Sequence, residues 1–109
     1  MNLTERVSAF VKLGDELRLL LDGKPKTEAG KDLLFLLPEL LHRNGWYSEP
    51  NVRHRLTIIA EGLNKQQLIE WLSNYNFSQE LPMKKVGVIL AGNIPLVGFD
   101  DFKCVLLTG

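Results

Sequence analysis

The sequence predicts a mainly α-helical chain of four to five short amphipathic helices, followed by one β-strand and a final helix. Over residues 1–76, apolar residues recur at three- and four-residue spacing and alternate with residues that cap or stop helices. From residue 84 the pattern changes, because Val86 to Ala91 is an unbroken apolar run that ends at the turn pair Gly92-Asn93. Such a run is typical of a strand that is buried on both faces. Residues 1–76 and 77–109 are therefore predicted to be separate regions, with a domain boundary between them.

The first segment predicts one long helix. Asn2 can cap it while Glu5 reaches back to the Asn2 backbone, which is the capping-box arrangement. Gly23 and Pro25 end it, since glycine suits a helix C-terminus and proline cannot continue a helix. The residues of the predicted apolar face are Leu3, Val7, Phe10, Leu13, Leu17, Leu20 and Leu21.

The second segment predicts two short helices rather than one. Proline inside a helix removes a hydrogen bond and clashes with the preceding turn, so Pro38 should break the apolar run that starts at Leu33. We therefore expect one helix from Glu28 to Leu36 and another from Pro38 to Arg43, which Asn44-Gly45 stops.

Two further helices are predicted before residue 76. Ser48 is placed to cap the first, with Glu49 and Pro50 in its first turn, and its apolar stripe is Val52, Leu56, Ile59, Ala60 and Leu63. Asn64 with Gln67 resembles another capping box, and the helix that it opens carries Leu68, Ile69, Leu72 and Tyr75 on one face. The residues from Asn76 to Pro82 predict a polar loop.

The last segment predicts a strand over Lys85 to Leu90, a tight turn, and a helix that begins at Pro95 and is capped by Gly109. Asn93 would then lie at the carboxyl end of a parallel strand, where open α/β sheets bind ligands. A single strand cannot form a parallel sheet, because its neighbours come from crossover connections. We therefore interpret the chain as the front end of a larger protein, and we expect the unpaired strand to promote self-association.

Composition and charge exclude several classes of protein. Thirteen basic residues balance thirteen acidic residues, so nucleic acid is not expected as a partner. The longest apolar run is far shorter than a membrane span, and the first residues lack the order of a signal peptide. His42, His54 and Cys104 have no metal-ligand spacing, so no metal site is predicted. One cysteine and no signal peptide predict a cytoplasmic protein.

Two segments carry a resemblance to a known family. They are the run from Lys84 to Leu106, with Ala91-Gly92-Asn93-Ile94-Pro95 at its centre, and the linker from Asn44 to Arg53, with Trp46-Tyr47 in it. Together with the opening Asn2-Leu3-Thr4-Glu5-Arg6-Val7, they resemble the long-chain acyl-CoA reductase family of the LuxC type, best known from bacterial bioluminescence. That family is similar in turn to the aldehyde dehydrogenase superfamily. The resemblance covers the whole chain, but only the N-terminal part of a family member.

The resemblance implies an oxidoreductase activity and a set of site residues. Family members convert a fatty acyl-CoA into an aldehyde through a cysteine acyl-thioester, with NADPH or NADH as the hydride donor. Asn93 would donate its side-chain amide to the thioester oxygen as that oxygen gains charge, and Gly92, Ile94 and Pro95 would contact the cofactor. The family's reactive cysteine lies beyond residue 109, so the chain alone is expected to be inactive. Cys104 instead lies in an apolar helix without a basic partner nearby in sequence, and we interpret it as a small core residue.

An alternative interpretation involves no catalysis. The amphipathic helices are equally compatible with a small helical module that binds another protein through the apolar stretch from Leu33 to Leu41. This alternative explains residues 84–109 poorly, because an interaction module has little need of a buried strand that leads into a Gly-Asn-x-Pro turn.

Overall fold

The structure is a computed structural model that describes residues 1–77 and 84–108, and in these residues it is mainly helical, as predicted. Most of the predicted polar loop and the predicted cap at Gly109 lie outside the described residues. The elements in chain order are α1 (Leu3–Leu21), α2 (Glu28–Leu36), a 3₁₀ turn (Leu37–Glu39), α3 (Leu40–Arg43), α4 (Glu49–Gly62), α5 (Lys65–Leu72) and α6 (Phe99–Thr108).

The predicted helix ends are confirmed at most positions. The Asn2 side chain accepts a hydrogen bond from the Glu5 backbone at 2.9 Å, and the Glu5 carboxylate accepts one from the Asn2 backbone at 2.8 Å. Asn64 caps α5 by accepting from the Gln67 backbone, also at 2.9 Å. Pro38 interrupts the second segment in a 3₁₀ turn between α2 and α3. Ser48 occupies the N-cap position of α4, but its side chain makes no capping hydrogen bond.

The core forms where α1 packs along α4, and α6 closes one side of it. Its buried residues are Val7, Phe10, Leu17, Leu20, Leu37, Val52, Leu56, Ile59, Ala60, Leu63, Leu68, Leu72 and Leu107. Two contacts hold α6 on α1: the Arg6 guanidinium donates to the Leu107 carbonyl at 3.3 Å, and the rings of Phe10 and Phe99 meet edge to face. The helices of residues 1–76 and the C-terminal helix α6 therefore share one core.

The prediction of a strand over Lys85 to Leu90 is wrong. Residues 84–91 have no regular secondary structure, no strand is assigned among the described residues, and Ile89 is 99% exposed rather than buried. A strand exists only when a second strand completes its hydrogen-bond ladder, and the described elements around this segment are helices. The apolar run is therefore present without the sheet that its composition suggested.

Two further expectations need correction. The last helix begins at Phe99 and not at Pro95, because residues 94–98 form turns first. α5 ends at Leu72, which leaves Tyr75 beyond the helix.

A carboxylate on α1 organises the start of α2. One oxygen of Glu16 accepts hydrogen bonds from the backbone of Thr27 at 2.7 Å, from its hydroxyl at 2.7 Å and from the Lys26 backbone at 2.9 Å. These donors, the Thr27 backbone first, hold the pKa of Glu16 below its ordinary value. Thr27 in turn caps α2 by accepting from the Gly30 backbone at 3.0 Å. Glu16 therefore ties two helices together more strongly when it is ionised.

Acid should loosen this tie. Because the pKa of Glu16 is lower in the folded state, its contribution to stability is complete above the ordinary glutamate pKa of about 4.3 and is lost as the pH falls through the lower folded value. We expect Glu16→Gln to lower the midpoint of thermal unfolding at pH 7. The difference in midpoint between the variant and the wild type should become smaller as the pH falls from about 4 to about 2. Circular dichroism melts at each pH measure the gap. Glu39→Gln, an exposed carboxyl in the 3₁₀ turn, is the control, and a gap that does not depend on pH would contradict the assignment.

Candidate functional site

The turn segment, residues 92–98, is held in place by Asn44. The Asn44 side-chain amide donates to the Gly92 carbonyl at 2.8 Å, across 48 residues of chain. The oxygen of the same side chain accepts from the Trp46 backbone at 3.1 Å, which shapes the linker after α3. The structure thus joins the two segments on which the family resemblance depends.

Asn93 lies in the turn segment with an exposed side chain. Its amide makes no hydrogen bond within residues 1–77 and 84–108, so its N–H donors face solvent. Gly92 precedes it, and a Cβ built on Gly92 would meet no atom within 4 Å. This open space leaves the backbone approachable by a ligand, while Asn44 fixes the position of the Gly92 carbonyl.

The next residues turn the chain into α6. Pro95 is buried, Ile94 is exposed, and Leu96 has a φ of 54°. This φ lies in the left-handed region, which costs a leucine roughly 1 kcal/mol or more. The carbonyls of Ile94 and Leu96 accept from the backbones of Val97 and Phe99, and these hydrogen bonds close the turns. Of the four predicted site residues, Gly92, Asn93 and Ile94 thus lie at the surface, and Pro95 faces the helices.

An apolar cavity of about 320 Å³ lies where the turn segment meets the helices. No polar atom contributes to its wall. Residues from α1, α2, α3, α4, the linker and the turn segment line it together with the start of α6: Leu13, Leu17, Leu33, Leu40, Tyr47, Val52, Leu56, Ile59, Pro95, Leu96 and Phe99. Its volume lies at the lower end of the range for small-molecule sites, about 300–1,000 Å³. We refer to it below as the apolar cavity.

The charged residues of α6 serve the fold. Asp100 accepts from Lys103 at 2.9 Å and from Arg55 of α4 at 3.3 Å, and the hydrogen bond from Lys103 is the main reason that the pKa of Asp100 is lowered. The Lys103 ammonium also lies 5.4 Å from the centre of the Trp71 ring, a cation–π distance. Asp100 and Asp101 lie in the first turn of α6, where negative charge is favourable. Asp100 is thus an ionised tether between α4 and α6.

The described residues contain no other constellation with evident chemistry. Cys104 is a free, half-buried thiol on α6 and does not belong to the buried core that was expected to hold it. No group of three or more His, Cys, Asp or Glu side chains in residues 1–77 and 84–108 could hold a metal ion. None of the helices in that part of the chain is both long enough and apolar enough to cross a bilayer.

Sequence reasoning misses two features of this region. The sequence presents Asn44 only as a helix stop, and an Asn-Gly pair after a helix gives no indication of a partner 48 residues away. The apolar cavity is also missed, because its wall comes from many elements whose apolar residues all look like core residues.

Comparison of the chain with protein-family models, with curated proteins and with solved structures finds no match. The geometry of the turn segment, its link to Asn44 and the apolar cavity therefore form the basis for a functional assignment.

Proposed function

We propose that this chain is the N-terminal part of an NAD(P)H-dependent reductase of fatty acyl-CoA, with an aldehyde-dehydrogenase-like α/β fold. The observation that carries the proposal is the hydrogen bond from Asn44 to Gly92. It joins the two segments that resemble the acyl-CoA reductases, and it fixes the backbone directly before Asn93. A donor for an oxyanion must be held in place before the reaction, since its value lies in needing no reorganisation.

Asn93 is the residue with a chemical role in this proposal. A fatty acyl thioester has a carbonyl oxygen that gains negative charge when a thiolate attacks the carbon, and a neutral amide N–H can stabilise that charge. The exposed, unbonded amide of Asn93 suits this role. The attacking cysteine belongs to another part of the parent protein, and its attack releases the thiolate of coenzyme A. The hydride that converts the acyl-enzyme into the aldehyde would come from NADPH or NADH, and this conversion breaks the thioester bond and frees the cysteine thiolate.

The surroundings of Asn93 support the proposed cofactor and substrate. The open space at Gly92 leaves room for a planar ring against the backbone, and the exposed Ile94 offers an apolar contact. Residues 84–91 present unpaired backbone and apolar side chains, as expected of a segment that lacks its neighbours, and this exposure also supports the predicted self-association.

A second candidate function rests on a different observation. Phe35 is 79% exposed on α2, and Leu41 and Trp46 are also exposed nearby in sequence. Exposed large apolar residues are common at protein–protein interfaces. The alternative is therefore a helical module that binds a partner protein through the apolar stretch from Leu33 to Leu41, in which Phe35 and Leu41 are exposed.

The coding sequence beyond Gly109 and an assay of its full product test the proposal. We expect the reading frame to continue into further strand–helix units with a later cysteine, and the full-length protein to form aldehyde from a long-chain acyl-CoA with NADPH or NADH. The 109-residue chain assayed alone should oxidise no NADPH, because it lacks the nucleophile. A native stop codon after Gly109 would favour the interaction module. NADPH oxidation by the isolated chain would contradict the proposal that the attacking cysteine lies outside these 109 residues.

A further inference from the structure

Asn44 is the only asparagine of the chain that a glycine follows. In such a pair the backbone nitrogen of the glycine can attack the side-chain amide carbon of the asparagine, because no Cβ crowds that nitrogen. Asparagine belongs to the thermally labile residues of proteins. The amide of Asn44 also holds the turn segment through the Gly92 carbonyl, so a chemical change of this amide would act on the turn segment.

We propose that Asn44-Gly45 is a self-modification site, at which conversion of the Asn44 amide into a carboxylate releases the turn segment. The Gly45 nitrogen forms a bond to Cγ of Asn44, and its proton passes through water to the departing amide nitrogen. The bond from Cγ to Nδ2 breaks, ammonia leaves, and a five-membered succinimide ring remains. Water then opens the ring at either of its carbonyl carbons, which yields aspartate or isoaspartate at position 44. This inference is independent of the proposed reductase activity.

The Gly45 nitrogen is available for this attack. Gly45 is exposed, a Cβ built on it would meet no atom within 4 Å, and its nitrogen makes no hydrogen bond within residues 1–77 and 84–108. Asn51 provides a contrast, because the nitrogen of Val52 already donates to the Ser48 carbonyl at 3.0 Å. The β-branched side chain of Val52 also crowds the nitrogen that would have to attack.

The folded structure restrains the reaction. Asn44 has a ψ of 110°, which places its Cβ and the Gly45 nitrogen far apart about the Cα–C bond. A five-membered ring needs these two atoms nearly eclipsed, so the backbone of Asn44 must rotate before the ring can close. This rotation breaks the hydrogen bond to the Gly92 carbonyl at 2.8 Å and the one from the Trp46 backbone at 3.1 Å. The contact with the turn segment therefore protects Asn44, and opening of the contact allows the reaction.

The product of the reaction cannot restore the contact. An ionised carboxylate has acceptors only, so it cannot donate to the Gly92 carbonyl, and its negative charge would face the oxygen of that carbonyl. Isoaspartate also lengthens the main chain by a methylene group, which changes the turn that follows α3. Conversion of Asn44 therefore separates the linker from the turn segment, and the separation is permanent.

Incubation of the 109-residue chain at mildly alkaline pH, folded and in guanidinium chloride, tests the proposal. Peptide mapping by mass spectrometry follows the conversion of Asn44. We expect this conversion to be about tenfold or more faster in the denaturant, since hydrogen bonds must open in the folded chain before the ring can close. Asn51 should remain an amide in the same digests. Equal rates in the two conditions would overturn the protective role of the contact, and no conversion in the denaturant would overturn the site.

Two variants separate the ring chemistry from its consequence. Gly45→Ala keeps Asn44 and adds a Cβ that has free space in the fold, so in the denaturant it should convert at least about tenfold more slowly than wild type. Asn44→Asp carries the carboxylate of the product, so the backbone amide resonances of Gly92 to Ile94 should shift as they do in aged wild type. Its midpoint of thermal unfolding should fall by roughly 4–8 °C, the shift expected when one hydrogen bond is lost. Conversion of Gly45→Ala at the wild-type rate, or unshifted resonances in Asn44→Asp, would overturn the proposal.

Discussion

Replacement of Asn93 by alanine in the full-length form of the proposed reductase should lower the rate of acyl transfer by ~10²-fold or more, with cofactor affinity nearly unchanged. The physical reason is the loss of one N–H donor aimed at an oxygen that becomes charged only during the reaction. Such a donor contributes roughly 3 kcal/mol to the stability of the transition state, and little to binding of the uncharged thioester. Single-turnover kinetics with a long-chain acyl-CoA measure the acyl-transfer step, and cofactor titration measures affinity.

Two other asparagines distinguish this role from a structural one. Asn51 is exposed in the first turn of α4, and Asn51→Ala should leave both the rate and the affinity unchanged. Asn44→Ala removes the donor to the Gly92 carbonyl, so it should reduce cofactor affinity and rate together by displacing the whole turn segment. If Asn93→Ala behaves like Asn44→Ala, Asn93 shapes the turn and is not the oxyanion donor.

Local sequence signals predict the helical region well because they act over three or four residues. The capping box at Asn2 and Glu5, the interruption at Pro38 and the cap at Asn64 depend on backbone groups that are close in sequence whatever the tertiary fold. α2 begins and ends at the predicted residues for the same reason. Such signals fail when a competing turn is available, as after Pro95, where α6 begins four residues late.

The strand could not be predicted from its composition alone. The run from Val86 to Leu90 has strong β-propensity, but propensity describes fit to a sheet and does not supply a neighbouring strand. Gly98 illustrates what the segment does instead, because the Leu90 side chain covers it and a Cβ there would clash with that side chain. The segment therefore contacts the turn through Leu90, and most of its apolar surface stays exposed.

The candidate site depends on contacts that no local pattern encodes. The sequence predicts a turn at Asn93, and the structure agrees, but the position of Asn93 relative to the helices depends on Asn44. Likewise, each leucine of the apolar cavity looks like a core residue in sequence, and only the arrangement of the helices leaves a space between them. Tertiary geometry, and not residue type, separates a filled core from a binding site.

The crossing of α1 and α4 depends on one glycine. Gly14 is buried in the middle of α1, and a Cβ built there would lie 2.7 Å from both the Cβ and the carbonyl oxygen of Leu63. Leu63 is 1% exposed and is the C-cap residue directly after α4, so neither its side chain nor its backbone can move aside easily. Glycine costs roughly 1 kcal/mol relative to alanine inside a helix, and the close approach of the two helices offsets that cost.

Gly14→Ala should therefore destabilise the protein by about 1 kcal/mol, since an overpacking cost of about 1–3 kcal/mol is only partly offset by a gain of roughly 1 kcal/mol in helix propensity. For a domain of this size, the midpoint of thermal unfolding should fall by roughly 4–8 °C. Gly62→Ala is the matched control, because Gly62 ends α4 and a Cβ added there would meet no atom within 4 Å, so its midpoint should stay level or rise. Since both substitutions add the same methyl group to a helical glycine, the difference between the two melts isolates the helix crossing. A midpoint that rises equally in both variants would mean that α1 and α4 can separate at no cost, and the close crossing would then not stabilise the fold.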